Sequence, residues 1–172
     1  MSTQPLTFLF KLIPHISASR PGAWLFSRVL HHCDRLALKL SKGRSTLTST
    51  LSGLPVIMLT TTGAKSGLTR TVPLLGIYDP NHPNDPDHLA IIASNWGQKH
   101  YPAWYFNLKA NPNATGIING NTYSYLSREA SGAEYDKFWQ TASKMYIGFP
   151  RYKERANNRH IPIMILKAMP KT

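Results

Sequence analysis

The chain is 172 residues long and 42% hydrophobic, enough for one domain with its own core and too short for two of ordinary size. Charged residues make up only 16%, which excludes a disordered acidic or basic tail, and the single cysteine, Cys33, excludes an intrachain disulfide. Twenty Lys and Arg against eight Asp and Glu give a net charge of +12, a field that attracts polyanions: nucleic acid, anionic lipid or a phosphorylated cofactor.

Residues 1–52 hold seven basic side chains and one acid, Asp34, so the N-terminal third is disproportionately basic. No apolar run reaches the roughly 20 residues of a membrane span. The first basic residue, Lys11, follows the apolar Leu6–Phe10 stretch instead of preceding it, unlike a signal peptide. A cytoplasmic location is expected. Residues 5–18 read as an irregular lead-in, and Pro21 to Leu40 as a helix with its proline in the first turn. Leu25, Val29, Leu36 and Leu40 fall near one side of that helix, and Arg28, Arg35, Lys39 and Lys42 on another. Such a basic amphipathic helix either packs on its own domain or makes peripheral contact with an anionic membrane at the inner face of the plasma membrane. His31, His32 and Cys33 adjoin, but no second group at metal-ligand spacing accompanies them. The Ser-, Thr- and Gly-rich residues 41–53 read as a linker. The expected division is a basic helical extension over 1–52 and a cofactor-binding domain over 53–172.

Beyond Gly53 the pattern changes to strands. Val56–Thr62 is β-branched and apolar between Pro55 and Gly63. Thr71–Tyr78 gives a second strand, and Asp79–Asp87, with three prolines and two asparagines, a loop. His88–Ser94 is a third strand. Pro102–Ala110 reads as a short helix stopped by Asn111-Pro112. Thr115–Asn119 and Thr122–Ser127 flank Gly120-Asn121 as a hairpin. Ser131 and Glu134 have capping-box spacing and open a second helix with a stripe of Tyr135, Phe138, Trp139, Ala142 and Tyr146. Ile161–Leu166 is a closing strand. About six strands with few helices do not alternate as a parallel sheet requires; they predict an α+β fold, a small, mostly antiparallel β-barrel with flanking helices.

Three segments carry chemistry. In Gly63–Arg70, two glycines allow successive backbone N–H groups to converge on an anion, while Lys65 and Arg70 add charge and Ser66 a hydroxyl. The alternative is a solvated hairpin loop. In Ala93–Leu108 a strand ends, donors and a glycine come next, and a helix starts; Trp96 and Trp104 either flank a planar ring or pack in the core. Tyr146, Phe149 and Tyr152, spaced three apart past a helix end, either line a pocket mouth or seal the barrel. No nucleophilic triad, carboxylate pair or metal cluster is evident, so a cofactor is expected to carry the chemistry, which favours redox over hydrolysis. Strands 56–62 and 71–78 carry no charge and offer no basic–aromatic face for nucleic acid, so no nucleic-acid partner is expected.

Thr60–Leu74 (Thr-Thr-Thr-Gly-x-Lys-Ser-Gly-x-x-Arg-Thr-x-Pro-Leu), Ala-Ser-Asn-Trp-Gly at 93–97, Pro-Ala-Trp-Tyr-x-Asn-Leu-Lys-Ala-Asn-Pro at 102–112 and the closing Arg159-x-Ile161-Pro162 together resemble the deazaflavin-dependent nitroreductase family. These are split β-barrel proteins related to the flavin-dependent pyridoxamine phosphate oxidases. The resemblance covers about residues 54–168 and implies an oxidoreductase that passes a hydride from reduced coenzyme F-420 to a small-molecule electron acceptor, quinone-like, enone or nitro. It implies that Lys65, Ser66, Gly67 and Arg70 hold the phosphate and acidic tail, and that Pro73 and Leu74 lie beside the deazaflavin ring. Ser94, Asn95, Trp96 and Gly97 correspond to the loop over ring and phosphate, Trp104 to a pocket-side residue, and Tyr146, Phe149 and Tyr152 to the substrate mouth. Ser94, Tyr146 or Tyr152 would hydrogen-bond the acceptor oxygen. Two residues depart from the family: Asn95 stands where some members have Lys, with Lys99 as a nearby substitute, and Phe149 stands where the nitro-reducing members have Tyr. The alternatives are FMN or FAD in the same barrel, or a non-catalytic cofactor- or lipid-binding protein. Both monomer and homodimer occur among such proteins.

Overall fold

Seven β-strands, three α-helices and one short 3-10 turn make up the computed structural model, which describes residues 54–157 and 159–170. The expected N-terminal helix and the linker lie outside the described residues. In chain order the strands are β1 (Val56–Thr62), β2 (Thr69–Leu75), β3 (Ile77–Tyr78), β4 (Leu89–Ile92), β5 (Asn113–Ile118), β6 (Asn121–Glu129) and β7 (Ile163–Ala168). The helices are α1 (Ala103–Ala110), α2 (Gly132–Met145) and α3 (Gly148–Arg155).

All seven strands form one antiparallel sheet in the order β2-β1-β5-β6-β7-β4-β3. Its two edge strands are consecutive pieces of one stretch of chain, separated only by Gly76, so the sheet curls until its edges share a segment. Thr71–Tyr78, expected as one strand, is therefore two: at Gly76 it leaves β1 and takes β4 as partner. β2 also begins earlier than expected and carries one charge, Arg70, opposite Thr61. Pro73, opposite Met58, is tolerated because β2 is an edge strand and needs donors on one side only.

The alternation of side chains across β4 and β7 divides the core in two. Leu89, Ile91, Ala93, Met164 and Leu166 point with Ile57, Leu59, Tyr125, Trp104 and Leu108 into one cluster, capped by α1. Ala90, Ile92, Ile163 and Ile165 face a second cluster with Phe138 and Ala142 of α2 and Phe149 and Tyr152 of α3. Both strands thus read as continuous apolar runs, because helices cover the outer face of this half of the sheet.

Three local readings change. The hairpin turn is Asn119-Gly120 (φ +50° and +82°), with Ile118 paired to Asn121; both turn residues take the left-handed conformation of a two-residue loop. Ser131 caps α2 by position but makes no side-chain cap bond, and Glu134 pairs with Arg128 through two bonds of 2.6 and 2.7 Å. The stretch after α2 is a helix: α3 starts within three residues of the end of α2 despite Gly148 and Pro150, which sit in its first turn where proline is accepted.

Candidate functional site

The loop between β1 and β2 is tight. Gly63 N–H donates to Leu68 O at 2.9 Å, Gly67 N–H to Gly63 O at 2.8 Å, and Leu68 N–H to Ser66 Oγ at 3.3 Å. Gly67 takes φ +67°, which glycine accepts without strain. These bonds take the Gly63, Gly67 and Leu68 N–H groups within the loop, while the successive N–H groups of Lys65 and Ser66 have no acceptor among the described residues. The loop also offers outward charge, since Lys65, Ser66 and Arg70 are all exposed.

The loop is tied to the rest of the site by Asn107. Its Oδ1 accepts from Ala64 N–H at 3.0 Å, and its Nδ2 donates to Thr61 Oγ1, also at 3.0 Å. Asn107 is buried on α1, the helix that comes after the Ser94–Tyr101 segment, so one side chain joins the first segment to the second. An asparagine inside a helix is a poor helix former, and that was the signal available in the sequence.

The backbone after β4 makes a left-handed turn. Ser94 has φ −69° and ψ −32°, and Asn95, Trp96 and Gly97 then take φ +48°, +58° and +78°. A left-handed non-glycine residue is strained by roughly 1–3 kcal/mol and tends to mark a functional segment. A right-handed residue followed by a left-handed one aims successive N–H groups into a shared concavity that accepts an anion. Gly97 N–H closes on Ser94 O at 3.0 Å and Gln98 N–H on Asn95 O at 3.0 Å. Among the described residues nothing accepts from the N–H groups of Asn95 and Trp96. Asn95 itself holds the turn, its Nδ2 donating to His100 O at 3.0 Å.

α3 and the segment beyond it brace this turn from behind. Arg155 Nη1 donates to Trp96 O at 3.4 Å, and Trp96 meets Tyr152 edge-on at 5.9 Å. Arg159 reaches the carbonyls of Ser94, Gln98 and His100. The sequence offered Arg159 only as part of a closing motif, with no role attached.

The three aromatics expected at a substrate mouth are together and buried. The Tyr146 and Tyr152 hydroxyls hydrogen-bond at 2.9 Å, and Phe149 meets Tyr146 at right angles, 5.5 Å between centroids. All three belong to the α2–α3 cluster. Burial, then the neighbouring Tyr146, pushes the Tyr152 phenol far above its ordinary value, so it stays protonated. Trp96 packs on this cluster and Trp104 inside the other, so the two tryptophans do not face one another. Leu74 is half-buried against the barrel interior and Pro73 lies on the β2 edge. Ser94 is buried at the mouth of the turn, and Lys99 is exposed.

The electrostatics favour an anion. No Asp or Glu occurs in residues 54–78 or 88–128, and Lys65, Arg70 and Lys99 enter no ion pair among the described residues. A separate recess lined by Glu129, Tyr135, Asp136 and His160 is acidic and unsuited to a phosphate. The unused N–H groups at Asn95 and Trp96, with these three cations, therefore fit a phosphate-bearing, acid-tailed cofactor. No cluster of metal-ligating residues occurs among the described residues, and none of their helices is long and apolar enough to cross a membrane.

The family model described as F420H(2)-dependent quinone reductase matches residues 35–168. The chain is 30% identical over 115 residues to an F420H(2)-dependent quinone reductase of Mycobacterium tuberculosis, spanning 65% of this chain and 72% of that one. A putative F420H(2)-dependent quinone reductase of the same organism is 30% identical over 114 residues, 66% of this chain and 90% of its own. Among solved structures, an F420-H2 dependent reductase aligns with a TM-score of 0.57 at 33% identity, covering 66% of this chain and 94% of its own. A chain described as a domain-swapped dimer aligns with a TM-score of 0.60 at 29% identity over 86% of this chain and 99% of its own.

Proposed function

Because the chain belongs to the F420H(2)-dependent quinone reductase family, we propose that it binds reduced coenzyme F-420 and transfers a hydride from it to a quinone-like or enone acceptor. The observation that carries this reading is the left-handed turn at Asn95–Gly97, whose outward N–H groups lie in a part of the chain that holds cations and no acids. Lys65, Ser66, Gly67, Arg70 and Lys99 are the proposed partners of the phosphate and acidic tail. The turn of Ser94, Asn95, Trp96 and Gly97, with Pro73 and Leu74, would hold the ring. The bound deazaflavin supplies the hydride. FMN and FAD have a smaller acidic complement, and family membership favours the deazaflavin over both.

The chain's own residues position the acceptor and exclude water. Tyr146 and Tyr152 act as a pair, since each hydroxyl already has the other within 2.9 Å, and with Ser94 they are the proposed donors to the acceptor oxygen. The Tyr152 phenol, raised by burial and by Tyr146, keeps its hydrogen for a hydrogen bond but gives up its proton poorly, so solvent is the proposed proton source. Phe149 has no hydroxyl for a nitro oxygen, which favours quinones and enones as acceptors. Mixing purified protein with reduced coenzyme F-420 and menadione tests the proposal: deazaflavin oxidation no faster than in buffer overturns it. Two finer points accompany it. The basic residues 1–52 are proposed to contact anionic membrane, and equal vesicle pelleting of full-length and 53–172 protein would refute that. A homodimer is proposed by analogy with the domain-swapped relative, and a monomeric mass by light scattering would refute it.

A further inference from the structure

We propose that Arg159 is the positioning residue that holds the backbone N–H groups of the Ser94–Gly97 turn outward, toward the anionic cofactor; this rests on the proposed binding of the deazaflavin at that turn. Arg159 lies between α3 and β7. Its Nε and Nη2 both donate to Gln98 O, at 3.1 and 3.0 Å, and Nη2 also reaches Ser94 O at 3.1 Å and His100 O at 3.4 Å. Nη1 donates to His160 O at 3.1 Å, and the guanidinium lies 4.6 Å above the Tyr101 ring. One planar fork thus gathers three carbonyls from a seven-residue stretch that has no regular secondary structure beyond the turn.

The consequence comes from peptide geometry. In a trans peptide the C=O and the next N–H point in opposite directions. Drawing Ser94 O inward to Arg159 therefore turns the Asn95 N–H outward. Likewise, Asn95 O is taken by Gln98 N–H, which turns the Trp96 N–H outward. Neither of these groups has an acceptor among the described residues. Without the fork, the strained left-handed turn keeps Arg155 on Trp96 O and the Gly97 N–H on Ser94 O, but loses its hold on the Ser94, Gln98 and His100 carbonyls and loosens toward ordinary backbone. The guanidinium also leaves its positive charge directly behind the turn, on the side opposite the proposed anion. A lysine has a compact ammonium instead of a fork and cannot serve three carbonyls in one plane.

The test uses the full-length protein as wild type, Arg159→Met and Arg159→Lys, with two measurements. Amide hydrogen exchange without cofactor reads the turn itself; fluorescence titration with coenzyme F-420 reads its use. Arg159→Met is expected to exchange at Gly97 and Gln98, the bonded amides of the turn, roughly tenfold faster or more, with β1, β5 and β6 unchanged, and to bind the cofactor about tenfold or more weakly. Arg159→Lys should fall between the two. Unchanged exchange at Gly97 and Gln98, or faster exchange there with wild-type cofactor affinity, overturns the proposal, as does a uniform loosening of the whole barrel. If wild type itself fails to bind coenzyme F-420, the functional reading is refuted, and the exchange at Gly97 and Gln98, whose N–H groups close the turn, alone decides whether Arg159 holds it.

Discussion

Two glycines with left-handed backbone separate the cost of conformation from the cost of contact. Gly67 has φ +67° and nothing within 4 Å of where a Cβ would stand. Gly97 has φ +78°, and its added Cβ would meet Arg155 Cβ at 2.9 Å, Tyr152 O at 3.0 Å and Tyr152 Cα at 3.1 Å. Gly67→Ala therefore incurs only the left-handed penalty, roughly 1–2 kcal/mol. Gly97→Ala incurs the same and must also push the turn away from the backbone of α3, an overpacking strain of about 1–3 kcal/mol more. For a chain of this size each kcal/mol lowers the unfolding temperature by roughly 2–4 °C. The expected losses are about 2–8 °C for Gly67→Ala and about 4–20 °C for Gly97→Ala, read by differential scanning calorimetry of the apo-protein. Gly97→Ala is also expected to weaken coenzyme F-420 binding, because the neighbouring N–H groups move with the turn. Equal temperature losses in the two variants would refute the claim that the turn is pressed against α3.

The remaining predictions concern single contacts. Asn107→Ala strands the buried Thr61 hydroxyl and the Ala64 N–H, and is expected to cost about 1–3 kcal/mol in chemical denaturation with weaker cofactor binding; unchanged stability would remove Asn107 as the link between the two segments. Burial alone would raise the Asp79 carboxyl, but Lys137 at 2.5 Å and the Asn81 N–H at 3.0 Å outweigh it and hold it below the usual range. A depressed folded value means stability that is present above the unfolded pKa, near about 4, and lost as pH falls through the folded one. Lys137→Met should thus lower the unfolding temperature more at about pH 7 than at about pH 3, and equal losses would count against the pair. Removing Lys65 or Arg70 by alanine is expected to weaken coenzyme F-420 binding several-fold and to flatten its dependence on salt; a salt dependence like that of wild type would place the acidic tail elsewhere. Tyr152→Phe is expected to lower kcat without changing cofactor affinity, and the wild-type rate should show no limb from this phenol below about pH 10. An activity equal to wild type would leave Tyr152 a packing residue.

Most of the architecture was legible because β-branched runs bounded by Gly and Pro repeat along the chain, and the antiparallel order could be read from the scarcity of helices between them. The split at Gly76 was not legible: Thr71–Tyr78 is uniformly strand-like, and only the choice of partner distinguishes its halves. α3 was missed because Gly148 and Pro150 suggest a break, whereas both fall in the first turn, where neither interrupts the ladder. In the site, exposed cations announce themselves as residue types. The outward N–H groups of Asn95 and Trp96 do not, since a left-handed Trp is set by the arginines that take its neighbours' carbonyls. Those arginines are distant in sequence, and a single sequence gives no reason to pair Arg159 with Ser94.

The position of β7 bears on how the protein is made. It is the seventh strand in sequence, yet it lies between β6 and β4 and pairs with both. Until residue 168 has left the ribosome, β6 has no partner on that side and β4 has only the two residues of β3. Two strand edges, the apolar β4 among them, therefore stay open during synthesis. Arg159, immediately upstream of β7, reaches the Ser94 turn in the same late step. Closure of the sheet and completion of the site become one event, so a nascent chain lacking β7 exposes open strand edges without yet holding a formed cofactor cradle.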